Sequence, residues 1–497
     1  MSARSGRPTP PVELARERGT VHAHLHGARV ELDDTFLQRL EGVCAVERAD
    51  DVVAETSRDW WPIGIAWALE GAVPALAGAV VRPQDAPQVA EVLARCNESR
   101  VPVTVAAGRS GVCGGSVPVH GGVVVDLTEL SGIVDVDDTS LVLDVRAGTF
   151  GTWLEETLQS DHGVTTGHWP QSMDLSTVGG WLACRSAGQL STRYGKIEDM
   201  VVGLDVVLAD GRVVHTGGAP RAAVGPDLTQ VFVGSEGTLG VITGARVRVH
   251  PAPTYFRDAA YGYASFADGI DACRRILRRG ARPAVLRLYD AIEGDRNYQT
   301  GARHVLLVHD EADETIADAT MAVVAQECAT AEPLDDALVR AWFEHRNDVS
   351  ALERNIRRGL VVDTMEVAAT WRDCPSVYER TTAAISGVEG TLVASAHLSH
   401  SYSDGACTYF TFAGAPPDGD HDAYYRAAWD AGTNAALAAG AALSHHHGVG
   451  LNRSRYVRAA LGDAYDVLVS TKLALDPHGI LNPGKLGLPD PFGDTGW

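Results

Sequence analysis

Three things are scarce in this 497-residue chain, and each scarcity excludes something. The eight cysteines are scattered, with no Cys-x-x-Cys pair and no short-spaced framework, so they read as reduced, mostly buried thiols in a cytoplasmic protein. Positive charge is short, with 42 Lys and Arg against 64 Asp and Glu for a formal net charge of −22. Such a surface repels phosphate backbones and anionic lipid headgroups, which leaves no nucleic-acid partner, although a local positive site can still take an anionic small molecule. Long apolar runs are missing too. Between Trp60 and Val81 the chain is rich in Trp, Ala, Ile and Val, but Pro62, Glu70 and Pro74 interrupt it before about eighteen apolar residues accumulate, so a buried helix is expected and no transmembrane segment.

Residues 1 to 11 carry basic and Pro residues without a following apolar stretch, and read as a disordered arm instead of a secretory signal. Asp494-Thr495-Gly496-Trp497 carries no lipidation or peroxisomal address. With 45% hydrophobic and 21% charged residues, the composition is that of a globular protein, and the length exceeds what one core supports, so two or more domains are expected.

From about Ala79 the pattern becomes regular. A strand ending at Val80-Val81-Arg82-Pro83, a helix over residues 85 to 97, a strand over 101 to 105 and another over 122 to 127 make an α+β nucleotide-binding layout. Between the last two strands lies Gly108-Arg109-Ser110-Gly111-Val112-Cys113-Gly114-Gly115-Ser116. Its glycines remove the Cβ atoms that would stop backbone N–H groups converging on a diphosphate. A tight surface loop is an equally good reading of this segment alone, and it is not the Gly-x-Gly-x-x-Gly that opens a Rossmann helix.

A second segment, residues 165 to 188, collects small residues at Ser172, Ser176, Thr177, Gly179, Gly180, Ser186 and Gly188, letting backbone and hydroxyls approach a flat ligand. A third, Gly234-Ser235-Glu236-Gly237-Thr238-Leu239-Gly240-Val241-Ile242-Thr243, is a small-residue turn leading into an apolar strand. Far downstream, His445, His446 and His447 stand in a row before Gly448-Val449-Gly450. Three imidazoles suit a metal, a proton transfer, or neither. Adjacent residues on a strand face opposite ways and cannot ligate one ion without a turn, so a proton-handling cluster with no metal is expected.

Together these runs resemble the flavin domain of the vanillyl-alcohol oxidase and p-cresol methylhydroxylase superfamily. Ser176-Thr177-Val178-Gly179-Gly180-Trp181, Tyr194-Gly195-Lys196-Ile197-Glu198-Asp199 and the stretch 444 to 450 resemble, more narrowly, alkyl-dihydroxyacetone-phosphate synthases. The resemblance implies an α+β fold: an N-terminal arm and helical region (1–78), a two-subdomain FAD-binding domain (79–253), an α+β substrate cap (254–443), and a C-terminal segment (444–497) returning to the flavin domain. It implies that residues 108 to 116 bind the FAD diphosphate, that Pro170, Ser172, Thr177, Gly179, Gly180 and Ser186 lie along the ribityl and ring system, and that Glu236, Gly240 and Ile242 lie near the adenosine half. The first loop has Arg109 and Ser110 but no His, so noncovalent FAD is expected. Cys113 reads as a packing residue instead of a thioether attachment.

The same resemblance implies catalytic roles for Arg287, on the strand Pro283-Ala284-Val285-Leu286-Arg287-Leu288, and for Tyr409, on a strand through residues 401 to 410, beside the His cluster. Charged amid apolar neighbours, Arg287 must pair with a carboxylate, a phosphate or water. In related 2-hydroxyacid dehydrogenases, metal-binding histidines stand where this chain has Ser401 and Thr408, and His397 stands where the synthases have an arginine. The implied activity is exchange of an acyl for an alkyl group on a ketose phosphate through a flavin N5 adduct. The alternative is an FAD-linked dehydrogenase or oxidase of a small alcohol or 2-hydroxy acid. A homodimer is expected.

Overall fold

The computed structural model describes residue 10, residues 12 to 15 and residues 20 to 497. The arm expected over residues 1 to 11 therefore lies, apart from residue 10, outside the described residues.

The helix Ala86–Ser99 shows how the first layer forms. Asp85 accepts from the Gln88 N–H at 2.8 Å, a Pro sits in the first turn, and Arg100 ends the helix in a left-handed conformation. Val89, Val92, Leu93 and Cys96, at helical spacing, are buried against the sheet. The strands on either side, Ala79–Arg82 and Val103–Ala106, both pair in parallel with Val123–Asp126. These elements shift from the sequence expectation by only a residue or two. Ala45–Glu47, within the stretch expected to be helical, pairs antiparallel with Ala79–Arg82 and completes a four-stranded sheet. The helix expected after Trp60 is Pro62–Trp67, and it is largely buried.

An antiparallel five-stranded sheet follows, in the order Val213–Gly217, Val201–Val207, Val241–Arg248, Val142–Arg146, Ile133–Asp137. A third sheet has seven antiparallel strands, in the order Glu332–Leu334, Tyr255–Tyr263, His304–Ala312, Val285–Tyr289, Thr391–Ser401, Gly405–Gly414, Val361–Thr370. Residues 401 to 410, expected as one strand, are instead a hairpin. The Tyr402 N–H bonds the Gly405 carbonyl at 2.8 Å, so the chain reverses before Tyr409. The register then puts Tyr409 between Glu366 on one side and His397 on the other.

The C-terminal stretch pairs with the first sheet. Val103 donates to the Ile480 carbonyl at 2.8 Å and accepts from the Asn482 N–H at 2.7 Å. The buried Lys472 ammonium bonds the carbonyls of Thr238 and Leu481, and buried Lys485 bonds that of Val117, which ties this tail to the domain it rejoins. Among the described residues no helix is long and apolar enough to cross a membrane, and all eight cysteines are free, six of them buried.

Candidate active site

Glu366 organises the histidine run. Its side chain is fully buried and ion-paired with the equally buried Arg453. One carboxylate oxygen, Oε1, also accepts from the Ser444 hydroxyl at 2.6 Å and from the N–H groups of His445, His446 and His447 at 3.2, 3.1 and 2.8 Å. Three successive N–H groups can converge on one oxygen only if the backbone turns, so the run is a turn and not a strand. Burial alone would raise this carboxyl, but Arg453 and then His447 hold it well below the usual range. Glu236 secures the next two residues, accepting from Val449 N–H at 2.6 Å and Gly450 N–H at 2.7 Å. Gly450 is required there. Its φ is +53°, and a Cβ would stand 2.2 Å from the Cys113 carbonyl oxygen.

The turn brings imidazoles together. His445 Nδ1 and His446 Nδ1 lie 2.8 Å apart, and His445 Nε2 is 3.0 Å from the Tyr402 hydroxyl. Tyr402 in turn lies 3.3 Å from Ser191 Oγ, which is 2.7 Å from His400 Nδ1. His400 also stacks on His445, ring centroids 5.0 Å apart. Burial, reinforced by Lys196 at His445, by His447 at His446 and by His445 at His400, holds all three imidazoles well below their ordinary pKa, so they are neutral near pH 7.

Tyr409 and Arg287 face this chain from the cap sheet. Tyr409 donates to Thr364 Oγ1 at 3.0 Å, not to a histidine, but its ring lies 6.0 Å from His446 and 5.5 Å from His447. Burial raises its phenol pKa. On the other side it stacks on His397 at 4.9 Å. Arg287 donates from Nη2 to His397 Nε2 at 2.6 Å and from Nε to the Tyr289 hydroxyl at 2.7 Å. His397 is therefore neutral, its Nδ1–H donating to Glu293 at 2.6 Å, and burial with the Arg287 charge pushes it down to about 4. Among the described residues no carboxylate ion-pairs with Arg287, so of the partners its charge called for a carboxylate is not the one it has within the protein. Arg287, Tyr409, His446 and His447 each keep some accessible surface although deeply set.

The glycine segments converge on the same place. Cys113 accepts from the N–H groups of Leu451 and Asn452 at 2.8 and 3.0 Å, and Asn482 Nδ2 bonds the carbonyls of both Gly115 and Glu236. Among the described residues, no N–H of residues 109 to 115 donates to a protein acceptor, while Arg109 is buried with its Nε unpartnered.

A family model described as FAD binding domain matches residues 77–217, and one described as FAD linked oxidases, C-terminal domain, matches residues 252–486. An uncharacterized FAD-linked oxidoreductase of Escherichia coli O157:H7, YgcU, is 33% identical over 429 residues, covering 82% of this chain and 88% of the relative. The chain belongs to the FAD-linked oxidases. The chain is also similar to an alkyldihydroxyacetonephosphate synthase of Dictyostelium discoideum, 28% identical over 82% of this chain and 72% of the relative, and to the glycolate oxidase subunit GlcD of Bacillus subtilis, 28% identical over 82% and 88%. The two-domain fold is that of solved structures of an alkyldihydroxyacetonephosphate synthase (TM-score 0.76, 22% identity, 96% of this chain and 88% of that one) and of p-cresol methylhydroxylase (TM-score 0.75, 16% identity, 94% and 100%).

The cofactor of this FAD-linked oxidase is FAD, and the residues fit it. The unpaired N–H groups and Arg109 suit a diphosphate, and Cβ atoms added at Gly111, Gly115 or Gly180 would meet nothing closer than 3.5 Å, so a Cβ fits at all three. Other expected contacts are spoken for within the protein. A Cβ at Gly108 would stand 2.2 Å from the Leu175 carbonyl, at Gly114 3.1 Å from Trp61, and at Gly179 2.8 Å from Ala147. Thr177 caps the helix Val178–Cys184, Ser186 Oγ pairs with His168, Pro170 and Ser172 carbonyls close a turn, and Gly240 and Ile242 pack on the five-stranded sheet against Val206. Cys113 is buried and its thiol is held well above its ordinary pKa by burial, as suits packing.

Sequence reasoning missed Glu366, Arg453, Tyr402, Ser191, His400 and Asp59. Only His400, in the run His397-Leu398-Ser399-His400, carried a local signal. Asp59, which burial pushes up to about 7, has an unpartnered oxygen 3.8 Å from where a Gly111 Cβ would sit, beside the proposed diphosphate loop.

Proposed function

We propose that this enzyme exchanges an acyl for an alkyl group on a ketose phosphate, using noncovalently held FAD. The observation that carries the reading is the hydrogen-bonded run of neutral side chains from His446 through His445, Tyr402 and Ser191 to His400, next to Tyr409 and opposite an Arg287 that no carboxylate neutralises. FAD, when bound, supplies the ring at which the substrate carbon is activated. The chain's own residues do the rest: Arg287 holds the anionic end, and Tyr409 with the imidazoles accepts the proton of the entering alcohol and passes it to the departing carboxylate. The reaction breaks the bond between the ketose carbon and the acyloxy oxygen, forms one between that carbon and the oxygen of the entering alcohol, and has no net redox change. The first loop offers no histidine for attachment, and Cys113 is committed to packing, which supports a noncovalent cofactor.

The test is to reduce the purified yellow protein and add acyl-dihydroxyacetone phosphate. The flavin absorbance should change with this substrate in wild type and about 10² to 10⁴ times more slowly in Tyr409→Phe, with FAD content unchanged. Acid precipitation should leave a colourless pellet.

A second reading, oxidation of a small alcohol or 2-hydroxy acid, is favoured by one observation. One ring nitrogen each from His400, His445 and His446 lies within 4.8 Å of the others, a spacing that suits a divalent ion. Bleaching of the oxidised flavin by glycolate or lactate, abolished by a chelator and restored by zinc or manganese, would replace the first reading with the second.

A further inference from the structure

Arg287 is not the only guanidinium without a carboxylate partner in the cap. Arg346, at the end of the helix Ala337–His345, lies with Cζ 4.8 Å from the ring centroid of Phe343, 5.5 Å from Trp342 and 5.7 Å from Trp169. Its Nη1 is buried and bonds nothing. Arg287 approaches the same Trp342 ring, at 5.7 Å, so the two cations share one aromatic neighbour. They repel each other, and burial first, then the Arg287 charge, pushes Arg346 down to about 10. The one carboxylate whose charge opposes this, Glu311, already accepts from the Tyr194 hydroxyl at 2.7 Å and faces His309 at 3.4 Å.

A buried guanidinium N–H without an acceptor is costly, and two neighbouring guanidiniums without an ion pair cost more, unless an anion completes them. A carboxylate would balance one charge. A phosphomonoester, near two negative charges at pH 7 with three acceptor oxygens, balances both. The position also fits: Trp169 belongs to the flavin-side segment, adjacent to Pro170, while Arg287 leads through His397 to the Tyr409 stack. A ligand anchored here has its other end towards Tyr409 and the histidine turn.

We propose that Arg346 and Arg287, flanking Trp342, form a two-guanidinium site for the phosphate of a phosphomonoester substrate, with Arg346 as the residue that selects phosphate over carboxylate. The proposal rests on the ketose-phosphate reading but names a residue and a selectivity that reading does not contain.

The experiment is calorimetric titration of the FAD-loaded protein, without turnover, using dihydroxyacetone phosphate and glycolate as probes. Wild type should bind the phosphate at least tenfold tighter than glycolate. Arg346→Gln should weaken the phosphate at least tenfold and glycolate less than twofold, with flavin spectrum and melting temperature unchanged. Arg346→Lys, which keeps the charge but loses the planar fork, should fall between the two and decides the matter if Arg346→Gln does not fold. No phosphate binding by wild type, equal affinity for the two probes, or phosphate affinity unchanged in the variants overturns the site. Failure of the transferase reading shows elsewhere, as phosphate binding that depends on Arg346 with no flavin response to the acylated substrate.

Discussion

Glu366 and Arg453 form an ion pair in which neither side chain has any solvent exposure, and the same carboxylate gathers the three N–H groups of the histidine turn. The pair thus sets where the imidazoles stand without itself reaching solvent.

Removing the charge of Glu366 should cost stability and catalysis together. Glu366→Gln leaves Arg453 buried without a counter-ion, and such a loss typically costs about 3–5 kcal/mol. Urea unfolding of the FAD-loaded protein measures it. A loss under about 1 kcal/mol would mean that the pair is solvated in solution.

Gly111→Val and Gly180→Val should leave the fold intact but deplete flavin, because a Cβ at either position displaces no protein atom and FAD would need that space. Gly108→Val should instead damage folding, since its Cβ would collide with the Leu175 carbonyl. Flavin absorbance per protein and thermal melts separate the outcomes. A normal flavin spectrum in both of the first two variants would take those glycines away from the cofactor.

Tyr402→Phe interrupts the polar chain between Ser191 and His445 while preserving the ring that stacks on His445. Turnover should fall about 10- to 100-fold, a proton-relay effect below that of a group acting directly on substrate. Combined with His446→Ala, it should cost little more than His446→Ala alone, because both act on one proton path. Fully multiplicative losses would show that Tyr402 acts separately.

His168 gives a pH signature. It is fully buried, one nitrogen bonded to Ser186 at 2.7 Å and the other unpartnered, and burial pushes its pKa down to about 3 from 6.5. Below pH 6.5 the unfolded chain binds a proton that the folded chain refuses, so this group's contribution falls as pH drops from 6.5 towards 3, at about 1.4 kcal/mol per pH unit. His168→Asn removes the term. Its stability relative to wild type should therefore rise by about 1.4 kcal/mol per unit between pH 6 and pH 5, read by denaturant unfolding at each pH. A pH-independent difference would mean that water reaches the ring.

Much of this was legible in one dimension. Helical spacing at Val89, Val92, Leu93 and Cys96, valine-rich strands on either side and a glycine run between them are local patterns, and each propagates through backbone geometry that depends on near neighbours alone. The sequence by itself therefore determined the first nucleotide-binding layer, the three glycine segments and the presence of three imidazoles in a row. It misjudged residues 401 to 410, where the chain that reads as one strand turns back at residues 402 to 404.

What the tertiary structure decided was how those parts meet. The histidine turn exists because a carboxylate 79 residues upstream of His445, on a strand next to that of Tyr409, collects its N–H groups. Tyr402 joins His400 to His445 through Ser191 of the other domain, and Arg346 shares Trp342 with Arg287. None of these pairings has a fixed spacing along the chain. They follow from sheet register, a hairpin and the return of the C-terminal tail, and in a buried setting each polar group is held to its partner by the cost of leaving it alone.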